Sequence, residues 1–232
     1  LVRDGDSLNN YTETEIQIVR VIGEGSTCVT YEGSYHPADR TYQVPIIIKE
    51  LYPDMPGIKR NADHSLNLNN ACDPDAFIRR KQQFNDNIEA YRKVDRIPEL
   101  KSTIPDLIGV GYGKNDNLYH IFKAYKGKTL ADVCREKISI NEQLNIIKRL
   151  AELIKLWCGM GYMLLDLSPS NILYLENSHD LQFIDFDSLL HKSEGQWKQE
   201  VSGYRVSALY LPEVLHLAIY GGGSAVDWDF VK

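Results

Sequence analysis

The sequence predicts an α+β fold: a small antiparallel, strand-rich first part followed by a larger, mainly helical one. Two observations predict it. Short runs rich in β-branched and aromatic residues, separated by turn residues, fill much of the first half, and the second half is dominated by apolar residues recurring every three or four positions. With 232 residues, 43% of them hydrophobic and 25% charged, the chain has an ordinary globular composition and length enough for one unit of two parts.

Residues 16–22, 28–35 and 42–48 read as an antiparallel meander. At 75–94 the period changes, with Phe77, Phe84, Ile88 and Tyr91 spaced for one face of a helix. Residues 107–112 and 118–125 read as a hairpin around Lys114-Asn115-Asp116-Asn117. Helical patterns follow at 130–136 and 141–159, the second with Leu144, Ile147, Leu150, Ile154 and Trp157 on one side. Within this helical half, Ile172-Leu173-Tyr174 and Leu181-Gln182-Phe183-Ile184 read as short strands, and Gly221-Gly222-Gly223-Ser224 as a flexible loop.

Charge and cysteine usage narrow the function classes. A net charge of −6 argues against a general nucleic-acid binder, which presents a basic face to phosphates. Cys28, Cys72, Cys134 and Cys158 form no CxxC pair, so free thiols and a reducing, cytoplasmic location are expected. The most apolar stretch, 153–165, is broken by Lys155 and two glycines and is shorter than the ~20 residues that cross a bilayer, so no membrane segment is expected. The chain opens without the apolar run of a signal peptide, and its initial Leu reads as the start of a trimmed piece.

Four motifs carry chemistry. Gly23-Glu24-Gly25-Ser26-Thr27-Cys28 lies between two predicted strands; alone, such glycines also suit an ordinary turn. Ile46-Ile47-Ile48-Lys49 is an apolar strand ending in a lysine, which needs a partner or a path to solvent. Asp166-Leu167-Ser168-Pro169-Ser170-Asn171 sets a carboxylate and an amide five residues apart, after a long amphipathic helix and before Ile172-Leu173. Fourteen residues beyond Asn171, Ile184-Asp185-Phe186-Asp187 ends an apolar run in two aspartates, residues that also serve as helix caps or turns.

In this order the motifs resemble those of eukaryotic-like protein kinases, with the closest likeness to divergent bacterial Ser/Thr kinases. The resemblance runs from about Val19 through Ser202-Gly203-Tyr204 to Leu211-Pro212-Glu213, similar to the end of an activation segment and its Ala-Pro-Glu motif. It implies a bilobal kinase-like fold, with 1–125 as the nucleotide-binding lobe and 126–232 as a partial, truncated catalytic lobe holding ATP–Mg²⁺ between them, with Mn²⁺ as a substitute ion. Gly23 and Gly25 would cover the phosphates, and Lys49 would contact the α- and β-phosphates. Glu89, the only glutamate of the 75–94 helix, would pair with Lys49, although family spacing points instead to a position near Asp95. Phe122 would stand beside the adenine, with Lys123-Ala124-Tyr125 as the hinge offering backbone groups to its edge. Asp166 would take the proton of the attacking hydroxyl, Asn171 and Asp185 would hold the metal, and the acceptor would be a Ser or Thr hydroxyl of a protein.

The departures from the family matter equally. Leu164 and Leu165 stand where the family has His and Arg, Ser168 replaces the catalytic-loop Lys, and Asp187 replaces the Gly after Asp-Phe. Ser168 cannot neutralise a phosphoryl group, which keeps two alternatives open: a small-molecule kinase of the same fold, and a nucleotide-binding pseudokinase acting as a regulatory module. Leu165 offers no donor to a phosphate on the activation segment, so control by phosphorylation at Ser193, Ser202 or Ser207 is not expected. Asp187 adds an anion beside the metal motif, and Asp187→Gly is expected to leave transfer intact or improve it. Only 19 residues follow Glu213, which reads as a fragment with Asp227-Trp228 opening the next helix.

Overall fold

The computed structural model of the chain describes residues 2–3, 13–14, 16–37, 42–113, 117–194 and 196–199. They form a mixed α+β structure with four helices and antiparallel strand pairing. The turn at 114–116, the kinase-like segment beyond Ser202 and the 221–224 glycine run lie outside the described residues. The chain divides into two units: Leu1–Asn85 with Pro105–Tyr125, and Asp86–Ile104 with Lys126–Lys232.

In the first unit β1 (Val2–Arg3) pairs with β2 (Glu13–Thr14). The main strands follow: β3 (Ile16–Glu24), β4 (Cys28–Tyr35) and β5 (Val44–Leu51). A small hairpin of β6 (Ile58–Arg60) and β7 (Leu66–Leu68) precedes β8 (Leu107–Tyr112) and β9 (Leu118–Lys123). The five long strands are ordered β3-β4-β5-β9-β8. Successive side chains of a strand point to opposite faces, and burial follows that period in β4 and β5. Val29, Tyr31, Ile46, Ile48, Tyr119 and Ile121 form one core cluster. Leu51 and Leu118 form the other with Phe84 of α1 (Pro74–Asp95), joined by Cys28, Phe77 and Val110.

Helix α1 starts where its sequence says it should. The Asp73 carboxylate accepts from the Asp75 and Ala76 amides, Pro74 occupies the first turn, and Arg92 and Lys93 lie in the last, where they oppose the helix dipole. The β6–β7 hairpin was not legible, because three-residue strands carry too little periodicity. Its entry turn needs Gly57, whose φ is +83° and whose added Cβ would lie 2.2 Å from the Cys72 nitrogen.

The second unit takes the end of α1, then α2 (Pro98–Lys101), β10 (Gly127–Thr129), α3 (Leu130–Val133) and α4 (Ile140–Gly159). The Thr129 and Ser139 hydroxyls cap α3 and α4. Beyond them come β11 (Tyr162–Leu164), a 3-10 turn at Pro169–Asn171, β12 (Ile172–Leu175), β13 (Leu181–Phe183), β14 (Leu189–Ser193) and β15 (Gln196–Gln199). These strands make two sheets, β10-β12-β13 and β11-β14-β15.

The core of this unit centres on Trp157 of α4, whose indole donates to Thr103 Oγ1 at 3.0 Å and whose ring meets Phe183 edge-on. Of the α4 face predicted from Leu144, Ile147, Leu150, Ile154 and Trp157, the Trp157 end is buried and the end carrying Leu144 and Ile147 is not. Those residues are 58% and 63% exposed, whereas Leu153 and Trp157 are sealed. Periodicity alone does not say which end of an apolar stripe is covered. Among the described residues no helix is long and apolar enough to cross a membrane, and all four cysteines are free thiols.

Candidate functional site

In the second unit the segment from Leu165 to Asn171 leaves strand β11 and closes in the Pro169–Asn171 turn, with the Asn171 amide donating to the Ser168 carbonyl at 2.9 Å. The Asp166 backbone amide donates to the buried Ser188 hydroxyl at 2.8 Å, and the Asn171 side-chain amide donates to the Asp166 carbonyl at 3.3 Å. From the other side, the Ile184 amide donates to the Asn171 carbonyl at 3.0 Å. The two motifs, thirteen residues apart from Asn171 to Ile184, are thus joined through main chain. Leu165 is buried, and Ser168 is buried with its hydroxyl 2.8 Å from that of Ser170.

Among the described residues of this unit, Asp166 is the carboxylate whose pKa is raised. Its Oδ1 is buried without a hydrogen-bond partner. Desolvation, then the nearby Asp185 charge, raises its pKa above the ordinary carboxylate value, and the Ser168 amide and Asn171 side chain offset only part of that. A half-buried carboxylate with an unfilled acceptor position can accept a hydrogen bond or a proton.

Asp185 and Asp187 stand together after β13. Asp185 Oδ1 accepts from the Asp187 amide at 3.1 Å and from Asn87 Nδ2 at 3.5 Å, and Asn87 Nδ2 also donates to Asp187 Oδ1. Among the described residues, Asp185 Oδ2 and Asn171 Oδ1 carry no hydrogen bond. No cluster of three or more His, Cys, Asp or Glu side chains suited to a metal ion occurs among them. One carboxylate oxygen plus one amide oxygen is a donor set that fits Mg²⁺ completed by phosphate and water, and does not fit an ion held by protein alone.

The first unit holds the remaining predicted residues. Gly23 ends in β3 and Gly25 opens the β3–β4 turn, its amide bonded to the Cys28 carbonyl at 2.9 Å. Neither glycine is required by its surroundings: an added Cβ at Gly23 comes no closer than 4.0 Å to Thr30, and at Gly25 no closer than 3.5 Å to the Cys28 oxygen. The turn is tied down, since the Thr27 and Ser26 carbonyls accept from the Tyr52 and Asp54 amides.

Strand β5 does not end at Lys49; it continues to Leu51. Register sets half-buried Lys49 between Thr30 and His120, and the His120 ring stacks on Phe84 of α1 with centroids 3.8 Å apart. Glu50 points to the opposite face and is 1% exposed. It accepts from Tyr31 at 2.6 Å, Tyr119 at 3.0 Å and Asn117 at 2.5 Å, and receives Arg60 of β6 on both oxygens, at 2.9 and 2.5 Å. Burial alone raises its pKa; these donors and the guanidinium charge outweigh that and leave it below the ordinary value. Burial and Glu50 together push the Tyr31 phenol well up. No sequence signal separated this buried Glu50 from a solvent-facing one.

At the end of β9, Phe122 is buried and pairs with Ile47 and Leu107. The Lys123 and Ala124 amides, in the stretch predicted as a hinge, donate to the Asp106 and Pro45 carbonyls at 2.9 and 3.1 Å. Tyr125 donates its hydroxyl to Asp106 at 2.6 Å, and burial with that carboxylate pushes its pKa up to about 12. These two amides are therefore not open to a ligand edge.

Glu89 lies in the second unit and faces solvent: its side chain is 61% exposed and binds Arg92 at 2.7 Å, one turn away. The buried polar residue of this part of α1 is Asn87, 8% exposed, an uncharged amide that no sequence signal sets apart. Ser188 likewise carries no such signal, although it directly follows the aspartates. Among known proteins, no family model and no curated protein matches the sequence, so the functional reading stands on these residues and their geometry.

Proposed function

We propose that the chain is a kinase-like phosphotransferase that moves the γ-phosphoryl group of ATP to a Ser or Thr hydroxyl of a protein, with the first unit as its nucleotide-holding lobe and the second as its catalytic lobe. The observation that carries this reading is Asp166: a half-buried carboxylate with a raised pKa and Oδ1 unpartnered, held by Ser188 and Asn171 and joined through Asn171 to Ile184, the residue before Asp185. Asp166 accepts the proton of the attacking hydroxyl as its oxygen bonds to the γ-phosphorus and the bond to the β-phosphate oxygen breaks, releasing ADP. Asp185 and Asn171 are the residues that would hold Mg²⁺, which supplies charge neutralisation of the phosphates.

In the first unit Gly23 and Gly25 carry no side chain that the fold itself excludes, which suits close approach of a phosphate to their backbone. Lys49 supplies the cation for the phosphates, while Glu89 has no part in the proposal. The neutral, internally bonded Ser168 leaves the transferring group without an ammonium, so slow turnover is expected. The test is incubation of the purified protein with γ-labelled ATP, Mg²⁺ and a generic protein acceptor. Label on protein supports the reading, label on an added small hydroxyl compound alone moves the acceptor class, and nucleotide binding without ADP release overturns it.

A further inference from the structure

The most unusual contact in the second unit joins α1 to the residue that stands where kinases have glycine. Asn87 is buried on α1, and its amide donates to both Asp187 Oδ1 and, at 3.5 Å, Asp185 Oδ1. The Asp187 amide closes the figure by donating to Asp185 Oδ1 at 3.1 Å. One turn further along the same helix face, buried Tyr91 meets the Phe186 ring edge-on, with centroids 5.3 Å apart, and Phe186 lies 5.9 Å from Trp157. Three consecutive residues, 185, 186 and 187, are thus gripped by one face of α1.

We infer that Asn87 and Asp187 form a clasp that sets the orientation of the Asp185 carboxylate, making both positioning residues for metal-assisted phosphoryl transfer; this rests on the proposed function above. Two neighbouring carboxylates repel, and in a half-buried place they need a donor between them to keep one geometry. A neutral amide reaching both is such a donor, and it leaves Asp185 Oδ2 for a cation. Glycine at 187 would remove the nearer acceptor and leave the buried Asn87 amide only the 3.5 Å contact to Asp185 Oδ1, so the expectation that Asp187→Gly is harmless is reversed.

The test uses the full chain with Asn87→Ala, Asp187→Gly, the double variant and Asp187→Asn. In the transfer assay each single variant is expected to raise the half-saturating Mg²⁺ concentration about tenfold while KM for ATP at saturating Mg²⁺ changes less than twofold, a split that general loosening of the fold does not produce. The double variant is expected to be no worse than either single one, because both break the same clasp. Asp187→Asn keeps an acceptor oxygen and is expected within about threefold of the parent. Hydrogen exchange of the peptide spanning 181–190, which needs no catalysis, is expected to speed up about tenfold in both single variants. Unchanged Mg²⁺ dependence together with unchanged exchange overturns the clasp, as do strictly additive effects. Faster exchange in a protein that transfers no label keeps the clasp and sinks the proposed reaction instead.

Discussion

Glu50 and Asp166 are both carboxylates withdrawn from water, and the protein treats them in opposite ways. Around Glu50 in the first unit five hydrogen bonds from Tyr31, Tyr119, Asn117 and Arg60 converge, and Arg60 is itself held 4.5 Å over the Tyr52 ring. Around Asp166 in the second unit the backbone is fastened at Ser188 and Asn171, yet Oδ1 is buried and unfilled. The pKa of the first is lowered and that of the second raised. A buried charge whose every acceptor position is filled holds the fold together; one left short of donors is destabilising, and is retained where a ligand completes it.

The comparison can be broken at its strongest point by Asp166→Asn. Transfer is expected to fall by roughly 10²–10⁴-fold, the usual worth of a general base, with ATP affinity within a few-fold and stability equal or higher. Single-turnover assays and thermal melting read the two arms, and turnover within about tenfold of the parent removes Asp166 from the reaction.

Arg60→Leu probes the other side. It strands the Glu50 charge in the core, and a loss of about 3–5 kcal/mol is expected in denaturant unfolding, whereas Glu50→Gln with Arg60 intact loses less. If Arg60→Leu unfolds at the parent's midpoint, the network is ornamental to stability.

The pH dependence should carry opposite signs. A carboxylate with a lowered folded pKa contributes stability that is present above its unfolded value of about 4.3 and is lost as pH falls through the folded pKa, so Glu50→Gln flattens the acid side of the stability curve below that pH. Asp166, with a raised folded pKa, costs stability once ionised, so the parent loses stability as pH climbs from about 3.9 through that higher value, and Asp166→Asn removes the slope. Urea titrations between about pH 3 and 8 in chelator, so that no divalent cation enters, measure both slopes.

The smallest expected effect belongs to Ser188→Ala. It removes the acceptor for the Asp166 amide and leaves a buried N–H unmatched, at about 1–3 kcal/mol. If the backbone of Asp166 is positioned through this contact, kcat falls about tenfold with KM for ATP unchanged; an unaltered kcat means that Asn171 alone suffices.

Much of the architecture was written in one-dimensional patterns. Runs of β-branched and aromatic residues between turns marked β3, β4, β5, β8 and β9, the change of period at 75 marked α1 to within a residue, and the five-residue step from Asp166 to Asn171 marked the candidate site, because strand and helix periods and local loop geometry are set by residues close in sequence. Other decisions belong to the tertiary structure alone. Whether Leu144 or Leu153 faces the core of the second unit, that Glu50 is sealed with Arg60 while Glu89 is left in water, and that Asn87 reaches Asp187 across 100 residues all depend on which surfaces meet. A side chain's type records what it can bond, and only the fold, by excluding water from one side of a helix or strand and not the other, decides which of those bonds it must make.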